Sequence, residues 1–208
     1  MTYRSQRSEG IRFSAIEVRD LLAAWVALGV AFAVFFGGGG GAVGLTDAFL
    51  ALLLVSLLTA GVGFLLHELA HKIVAIRFGQ VAEFRANYAM LFFAIAAAFG
   101  GIIFAAPGAV YHRGRITERE NGLISVAGPV TNIVLGFVFL PFLLASGGFL
   151  FQLGRYGVMI NFFLAAFNMI PFGPLDGKKV LRWSKPVFLL TFLASVVLTA
   201  GAVGVLLF

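Results

Sequence analysis

The chain has 208 residues, of which 61% are hydrophobic and 12% are charged, and its mean hydropathy is +1.01. This composition excludes a water-soluble globular domain, because such a domain needs a more polar surface. The chain has no cysteine, which excludes disulfides and thiolate ligands, so a bound metal must use His, Asp or Glu. The net charge of +6 fits contact with anionic lipid headgroups, and no interleaved basic and aromatic pattern indicates nucleic acid.

Five apolar segments are long enough to cross a bilayer, since a hydrocarbon core of about 30 Å needs roughly 20 helical residues. They cover approximately residues 21–42, 48–78, 122–147, 155–171 and 186–207, and a further apolar stretch covers 88–110. The predicted fold class is an all-α polytopic membrane protein with about five transmembrane helices and a re-entrant or hairpin segment at about 88–110. We expect one membrane-embedded domain over 1–208, with its core at about 47–180 and peripheral first and last helices.

The first apolar segment, Leu21 to Phe36, follows a long charged leader, and no small-residue cleavage pattern follows it. We therefore expect a first membrane helix here and not a signal peptide. The glycine run Gly37 to Gly41 predicts the turn after this helix. Thr46 or Asp47 is the expected N-cap of the second helix.

The basic residues predict the orientation of the helices, because cytoplasmic loops carry an excess of Lys and Arg. If 88–110 returns to its own side and each of the five segments crosses once, only Arg155 of the 15 basic residues falls on the opposite face. The N-terminus and the basic face are therefore expected to be cytoplasmic.

The apolar stretch Leu91–Ala106 is expected to dip into the membrane and return, although it looks nearly able to span. A full crossing would place the basic residues of 113–119 outside, against the tendency of cytoplasmic loops to be positive. The expected bend is Gly100–Gly101, and the expected closure is Pro107–Gly108. Because unpaired amides in lipid cost several kcal/mol each, the stretch must pair its backbone as a hairpin or as short helices.

The stretch FLLHELAHKI, residues 64–73, places two histidines and a glutamate inside a hydrophobic helix. His67 and His71 are four residues apart, so both imidazoles project from one helical face and can bind one zinc ion. Glu68 lies one position further round, near enough to take a proton from a water on the metal. Ionisable groups below the headgroup level are functional by default, so the pattern predicts a metallohydrolase rather than a chance match. His112, in a basic loop, is expected to be solvated.

A catalytic zinc site needs a third protein ligand. Asp176, in NMIPFGPLDG, is the candidate that adjoins a membrane segment, and Pro171 and Pro174 would break the fourth helix just before it. The residues alone support two interpretations about equally. Asp176 is a metal ligand, or it belongs to a helix-ending turn in which Pro, Asp and Gly have conformational roles. The other candidate carboxylates lie in predicted polar loops: Glu83, Glu118 and Glu120.

Three separated stretches carry a resemblance to a known family: HELAH at 67–71, AGPVTN at 127–132 and NMIPFGPLDG at 168–177. In order, spacing and placement on membrane helices, the chain resembles the site-2 protease family of intramembrane zinc metalloproteases. The resemblance implies one Zn²⁺ per chain and assigns roles to six residues. In those roles Glu68 is the general acid/base, Asn168 steadies the substrate or oxyanion, Asn132 is a lesser polar support, and the ligands are His67, His71 and Asp176.

The resemblance also implies a membrane-spanning protein as substrate and a membrane-associated β-hairpin at about 88–110. The family's frequent PDZ or nucleotide-sensing modules have no counterpart, so we expect a minimal archaeal or bacterial form. The oligomeric state is not indicated.

Two alternative functions remain open from the sequence. One is an HExxH membrane peptidase of another type, in which Glu118 or Glu120 is the third ligand. The other is a non-catalytic zinc carrier or scaffold, against which an intact Glu68 weighs because a carrier needs no general base.

Overall fold

The computed structural model describes residues 11–39, 46–103 and 108–207. Within them, five helices are long and apolar enough to cross a membrane, and a two-stranded sheet accompanies them, so the predicted fold class is confirmed. The elements in chain order are α1 (Ala15–Phe36), α2 (Asp47–Ser56), α3 (Val62–Arg77), β1 (Val81–Ala86), α4 (Tyr88–Phe99), β2 (Gly108–Arg113), α5 (Glu118–Phe139), α6 (Gly148–Asn168), α7 (Asp176–Trp183) and α8 (Lys185–Leu207).

Helix α1 begins at Ala15, earlier than the predicted start near residue 21. Ser14 is its N-cap, and its hydroxyl accepts a hydrogen bond from the Glu17 amide at 3.1 Å. Hydropathy excluded this charged first turn from the membrane helix, but Glu17 and Asp20 are buried against partners on other elements. The predicted glycine turn begins at Gly37, and its residues 40 and 41 lie outside the described part of the chain.

The second membrane segment is a continuous helical rod over Asp47–Arg77. Thr46 is its N-cap, as predicted, and accepts a hydrogen bond from the Phe49 amide at 3.2 Å. A π-helical turn, Leu57–Gly61, joins α2 to α3, and the Trp25 indole donates to the Leu57 carbonyl at 3.0 Å. Such single π-turns within α-helices are frequent near functional sites.

The stretch 88–110 contains a short helix followed by the start of a strand. Helix α4 covers Tyr88–Phe99, and β2 returns antiparallel to β1 with Ala86 opposite Gly108. The two ends of the excursion are therefore neighbours, and the 12-residue α4 is too short to span a bilayer. The hairpin lies partly outside the predicted stretch, because its first strand precedes residue 88.

The predicted bend of this excursion agrees with the structure. Gly100 is the C-cap of α4, and Gly101 has φ +74°, a left-handed conformation that favours glycine. Of the predicted closing residues, Pro107 lies outside the described residues, and Gly108 begins β2.

The third and fourth membrane helices begin earlier than predicted. Helix α5 begins at Glu118 because Thr117 and Glu120 form a capping box. Helix α6 begins at Gly148, seven residues before the predicted start, so Arg155 lies within the helix and not at its first residue. The Arg155 guanidinium lies 5.9 Å from the centre of the Tyr156 ring, which lets a charged residue occupy this turn.

Helices α3, α5, α6 and α7 pack around one polar cluster, and α1 covers β1 and α4. The adjacent apolar core includes Leu28, Phe64, Phe84, Ile160 and Leu164. Large exposed hydrophobic residues occur along the membrane helices, as expected for surfaces that face lipid. This packing places the HELAH turn of α3 against the AGPVTN turn of α5 and the start of α7.

Candidate metal centre

Three donor atoms from α3 and α7 meet in one buried cluster. The Nε2 atoms of His67 and His71 lie 3.0 Å apart, and Asp176 Oδ2 lies 3.3 Å from the first and 3.1 Å from the second. Each of the three residues exposes less than a tenth of its surface. Among the described residues, these three form the group able to hold a metal ion.

The other nitrogen of each imidazole has a partner that fixes where the ring carries its proton. His67 Nδ1 lies 2.5 Å from Asn132 Oδ1, and His71 Nδ1 lies 2.7 Å from the Ile124 carbonyl oxygen. Both partners are oxygens that only accept, so each Nδ1 donates and each Nε2 is left with a free lone pair. Such bonds at the far ring nitrogen are typical of metal-binding histidines.

The cluster therefore fits a cation. Two imidazole nitrogens whose ring protons are held on the far side converge with a carboxylate oxygen, and a cation between them would offset their mutual repulsion. Two His and one Asp form a donor set that zinc prefers. Ligands of a tetrahedral zinc stand about 3.3 Å apart, given bonds of about 2.0 Å. The observed separations of 3.0 to 3.3 Å agree with that arrangement.

Asp176 reaches the histidines because the chain turns sharply between α6 and α7. Helix α6 ends at Asn168, before the two prolines, and Asp176 is the first residue of α7. Gly177 follows closely packed on the Met169 backbone, where a Cβ would lie 2.0 Å from the carbonyl oxygen.

Glu68 and Asn168 line the same cavity as the three donors. Glu68 is buried, and its Oε2 has no hydrogen-bond partner among the described residues. A buried carboxylate oxygen without a partner is costly in a purely structural role. The Asn168 amide donates to the Leu164 carbonyl at 2.9 Å, which orients it on the wall of the cavity.

The AGPVTN stretch of α5 accommodates His67. Gly128 packs directly against the imidazole, because a Cβ there would lie 2.4 Å from His67 Nε2. Asn132, one turn later, is fully buried and supplies the oxygen that faces His67 Nδ1. Gly128 of the motif thus lets α5 approach His67 closely, and Asn132 orients the His67 ring.

The three glutamates predicted to lie in polar loops lie instead on β1 and in the first turn of α5, apart from the donor cluster. Glu83 lies on β1 and pairs with Arg85 at 2.7 Å, and bonds from Ser14 and Arg85 lower its pKa. Glu120 bonds to the amide and hydroxyl of Thr117 in the capping box, at 2.7 and 2.9 Å. Glu118 is exposed in the first turn of α5. None of them joins the metal group in the described part of the chain.

Sequence reasoning missed three contributors to the site. The Ile124 carbonyl orients His71, and backbone atoms leave no signal in a motif. Lys179 lines the cavity, and its Nζ lies 3.8 Å from Asp176 Oδ1. Asn161 bonds to Asn132 from α6, and its polar amide within an apolar helix was an available signal. His112 lies on β2 and not in a loop as expected, and its predicted solvation stays a prediction.

The chain is similar to proteins named as zinc metalloproteases. It is 40% identical over 178 residues to MJ0611 of Methanocaldococcus jannaschii, a provisionally named zinc metalloprotease, covering 83% of this chain and 87% of the relative. It is 32% identical over 153 residues to YwhC of Bacillus subtilis, also provisionally so named, covering 64% of this chain and 70% of the relative.

A third relative, zinc metalloprotease MJ0392 of Methanocaldococcus jannaschii, is 28% identical over 126 residues, covering 58% of this chain and 31% of the relative. No known family profile and no solved structure matches the chain. The first two relatives are matched over most of their length, and the three motifs of the site lie on helices that pack together. The chain belongs to the site-2 protease family of zinc metalloproteases.

Proposed function

We propose that the protein is an intramembrane zinc endopeptidase that hydrolyses peptide bonds of membrane-spanning substrates. The observation that carries this proposal is the placement of the three donors and Glu68 at a buried turn of a membrane helix. His67 lies 20 residues beyond Asp47, which is about 30 Å along the rod, and Arg77 follows ten residues later. The site therefore lies within the membrane, nearer to the end of the rod at Arg77.

The chemistry needs a metal, a base and a group that positions the substrate. A zinc ion held by His67, His71 and Asp176 would supply Lewis acidity to the scissile carbonyl and acidify the attacking water. Glu68 accepts the proton of that water and delivers it to the leaving amine. The amide of Asn168 uses one proton on the Leu164 carbonyl, which leaves its other proton and Oδ1 for the substrate.

A helical substrate must unwind before cleavage, because its amides are otherwise bonded within the helix. An extended segment can instead pair with a sheet edge. On β1 the outer edge is occupied, since Glu17 accepts from the Phe84 amide at 3.0 Å and Asp20 accepts from the Ala86 amide at 3.2 Å. The remaining edge belongs to β2, and we assign it to the substrate.

Strand alternation identifies which residues of β2 face that open edge. Because Phe84 and Ala86 direct their amides away from β2, their opposite residues Val110 and Gly108 direct theirs away from β1. Val110 and Gly108 also line the cavity that contains Glu68. An added strand would thus run beside the base and the donors.

The same assignment can be tested with proline, which removes an amide and is tolerated on the open edge of a strand. Val110→Pro is expected to keep zinc and lose cleavage. Tyr111→Pro is the matched control for loss of the β1–β2 pairing, since the Tyr111 amide faces the opposite residue Glu83. Cleavage by Val110→Pro at the unaltered rate would exclude β2 as the docking edge.

We propose that the basic face and the N-terminus are cytoplasmic. The N-terminal end of α1 lies beside the end of α3, because the Arg12 carbonyl accepts a hydrogen bond from Lys72 at 2.6 Å. Basic residues also follow Asp176 on α7. These basic residues lie at the same end of the helices, which fits the tendency of cytoplasmic loops to be positive. Water would then enter the site from the cytoplasm.

The test of the proposed function compares membrane proteins in cells that produce the unaltered chain or Glu68→Gln. New protein termini that arise only with the unaltered chain, and that map within predicted membrane spans, would support the proposal. New termini confined to water-soluble regions would refute intramembrane cleavage. The absence of any difference would refute proteolysis, provided that both chains are present at equal levels and contain zinc.

A further inference from the structure

Asn161 is a fully buried amide on α6, in the apolar stretch GVMINFFL. It does not belong to the group of three donors, and no sequence motif assigned it a role. A buried amide inside a membrane protein is costly unless its polar atoms are bonded. Its partners therefore show what it does.

The carbonyl of Gly157 sets the orientation of the Asn161 side chain. Asn161 Nδ2 donates to that carbonyl at 2.9 Å, one turn back on the same helix. A carbonyl only accepts, so the nitrogen end of the amide must face it and Oδ1 must face the other way. Oδ1 then accepts from Asn132 Nδ2 at 3.0 Å, which links α6 to α5.

Asn132 is held in one orientation by two acceptors. Its Nδ2 donates to Asn161 Oδ1 and also to the Gly63 carbonyl on α3 at 3.2 Å. Both protons of the amide are thereby used. A flipped Asn132 would place its oxygen against two other oxygens, so the observed orientation is strongly preferred.

The oriented Asn132 determines the tautomer of His67. Its Oδ1 lies 2.5 Å from His67 Nδ1, and this oxygen can only accept, so Nδ1 must carry the proton. His67 Nε2 is then bare where it faces Asp176. A flipped Asn132 would direct an N–H toward Nδ1 and favour the tautomer with a protonated Nε2, which cannot bind a metal.

We propose that Asn161 is a positioning residue that, by orienting Asn132, selects the metal-binding tautomer of His67. This inference rests on the proposed metal site. It adds a residue that is connected to the candidate ligand His67 through two hydrogen bonds, by way of Asn132. Outer partners of metal ligands typically change metal affinity by about 10- to 100-fold. Because the Gly63 carbonyl still holds Asn132 when Asn161 is lost, we expect about a tenfold loss.

The primary variant is Asn161→Ser. A serine hydroxyl can bond to the carbonyl four residues back, as Thr59 and Thr199 do in this chain, so the link to Gly157 is kept. It is too short to reach Asn132, so only the relay is broken. Asn161→Ala is the second variant, which removes both links. Ser195→Ala is the control, because it removes a buried hydroxyl on α8 that bonds to its own helix.

The experiment measures zinc affinity of the purified full chain in detergent by competition with a chelator. Cobalt substitution supplies a second readout, since the visible spectrum of Co²⁺ reports its ligand geometry. Thermal unfolding of the zinc-free chain reports structural damage separately. Asn161→Ser is expected to lose about tenfold in affinity while its zinc-free unfolding temperature stays near that of Ser195→Ala.

A double-mutant cycle decides whether Asn161 acts through Asn132. Adding Asn161→Ser to Asn132→Ala is expected to cause no further loss of zinc affinity, because the relay is already broken. An equal loss in both backgrounds would overturn the proposal and make Asn161 a packing residue. Unaltered affinity in Asn161→Ser and Asn161→Ala would overturn it as well. If His67→Ala also retained zinc affinity, the proposed metal site itself would be wrong, which is a separate result.

Discussion

The carboxylate of Glu17 on α1 lies 2.5 Å from the ammonium of Lys72 on α3, and both side chains are almost fully buried. Lys72 directly follows the candidate ligand His71. Glu17 also accepts a hydrogen bond from the Phe84 amide of β1. One carboxylate therefore joins the first helix, the helix that carries the HELAH motif and the sheet.

The first prediction concerns the stability of this junction. Glu17→Ala leaves a buried ammonium without its counter-charge, and breaking a buried pair from one side costs about 3–5 kcal/mol in the free energy of unfolding. Arg85→Ala is the control, because the half-exposed Arg85–Glu83 pair should contribute about 0–1 kcal/mol. Denaturant unfolding in detergent measures both. Equal losses would show that the buried pair is not a structural link.

The second prediction separates the base from the ligands. Glu68→Gln removes the carboxylate that accepts a proton but leaves all three donors, so it is expected to keep zinc and the fold and to lose cleavage. His67→Ala is expected to lose both zinc and cleavage. Zinc content and cleavage of a model membrane-spanning substrate are measured on the same preparations. Cleavage by Glu68→Gln at the unaltered rate would refute the mechanism.

The third prediction identifies the third ligand. Asp176→Ala is expected to weaken zinc binding, because it removes one of the three converging donors. Neutral substitutions at the three glutamates in turn should leave zinc bound, since these carboxylates lie elsewhere: Glu83, Glu118 and Glu120. Zinc stoichiometry decides. Full occupancy in Asp176→Ala, together with loss in a glutamate variant, would move the third ligand to that glutamate.

The fold brings together the three residues that the sequence proposed as donors, and part of that proposal rests on local information. The spacing of His67 and His71 places both on one helical face, and a membrane helix broken near Asp176 is recognisable from its prolines. The convergence of these residues is tertiary, and residue reasoning alone left Asp176 undecided. Packing of α7 against α5 brings it to the histidines.

The sequence was less informative about charged residues that the fold places inside a helix or buries. Glu17 and Asp20 looked like solvent-exposed residues before a membrane helix, yet the structure buries both. Arg155 was the first residue of the predicted fourth segment, yet α6 begins seven residues before it. Each of these charged side chains has a partner group in the folded chain, and a hydropathy scale takes no account of such partners. The charge of a residue alone therefore misplaced the start of two helices.

The fourth prediction tests the topology of the excursion between α3 and α5. Because β1 and β2 pair, single cysteines replacing Glu83 and Thr117 are expected to react with an impermeant reagent from the same side of oriented vesicles. Ser146→Cys is the control, because it is exposed between α5 and α6, at the other end of the helices. It should react from the opposite side. Labelling of the first two from different sides would refute a re-entrant excursion.

The fifth prediction concerns Gly128, whose importance lies in the absence of a side chain. An alanine Cβ at this position would lie 2.4 Å from His67 Nε2, the atom that faces Asp176, so the imidazole would have to shift. Gly128→Ala is expected to reduce zinc affinity by about tenfold or more and to lose cleavage, because a misplaced ligand cannot complete the cluster.

The matched control is Gly201→Ala on α8, where an added Cβ meets no atom within 4 Å. Both substitutions replace a helical glycine with a better helix former, so any general gain in helix stability is shared between them. Only the contact with His67 differs. Zinc affinity in detergent measures that contact, and equal affinities in the two variants would mean that the imidazole can move aside without disturbing the metal centre.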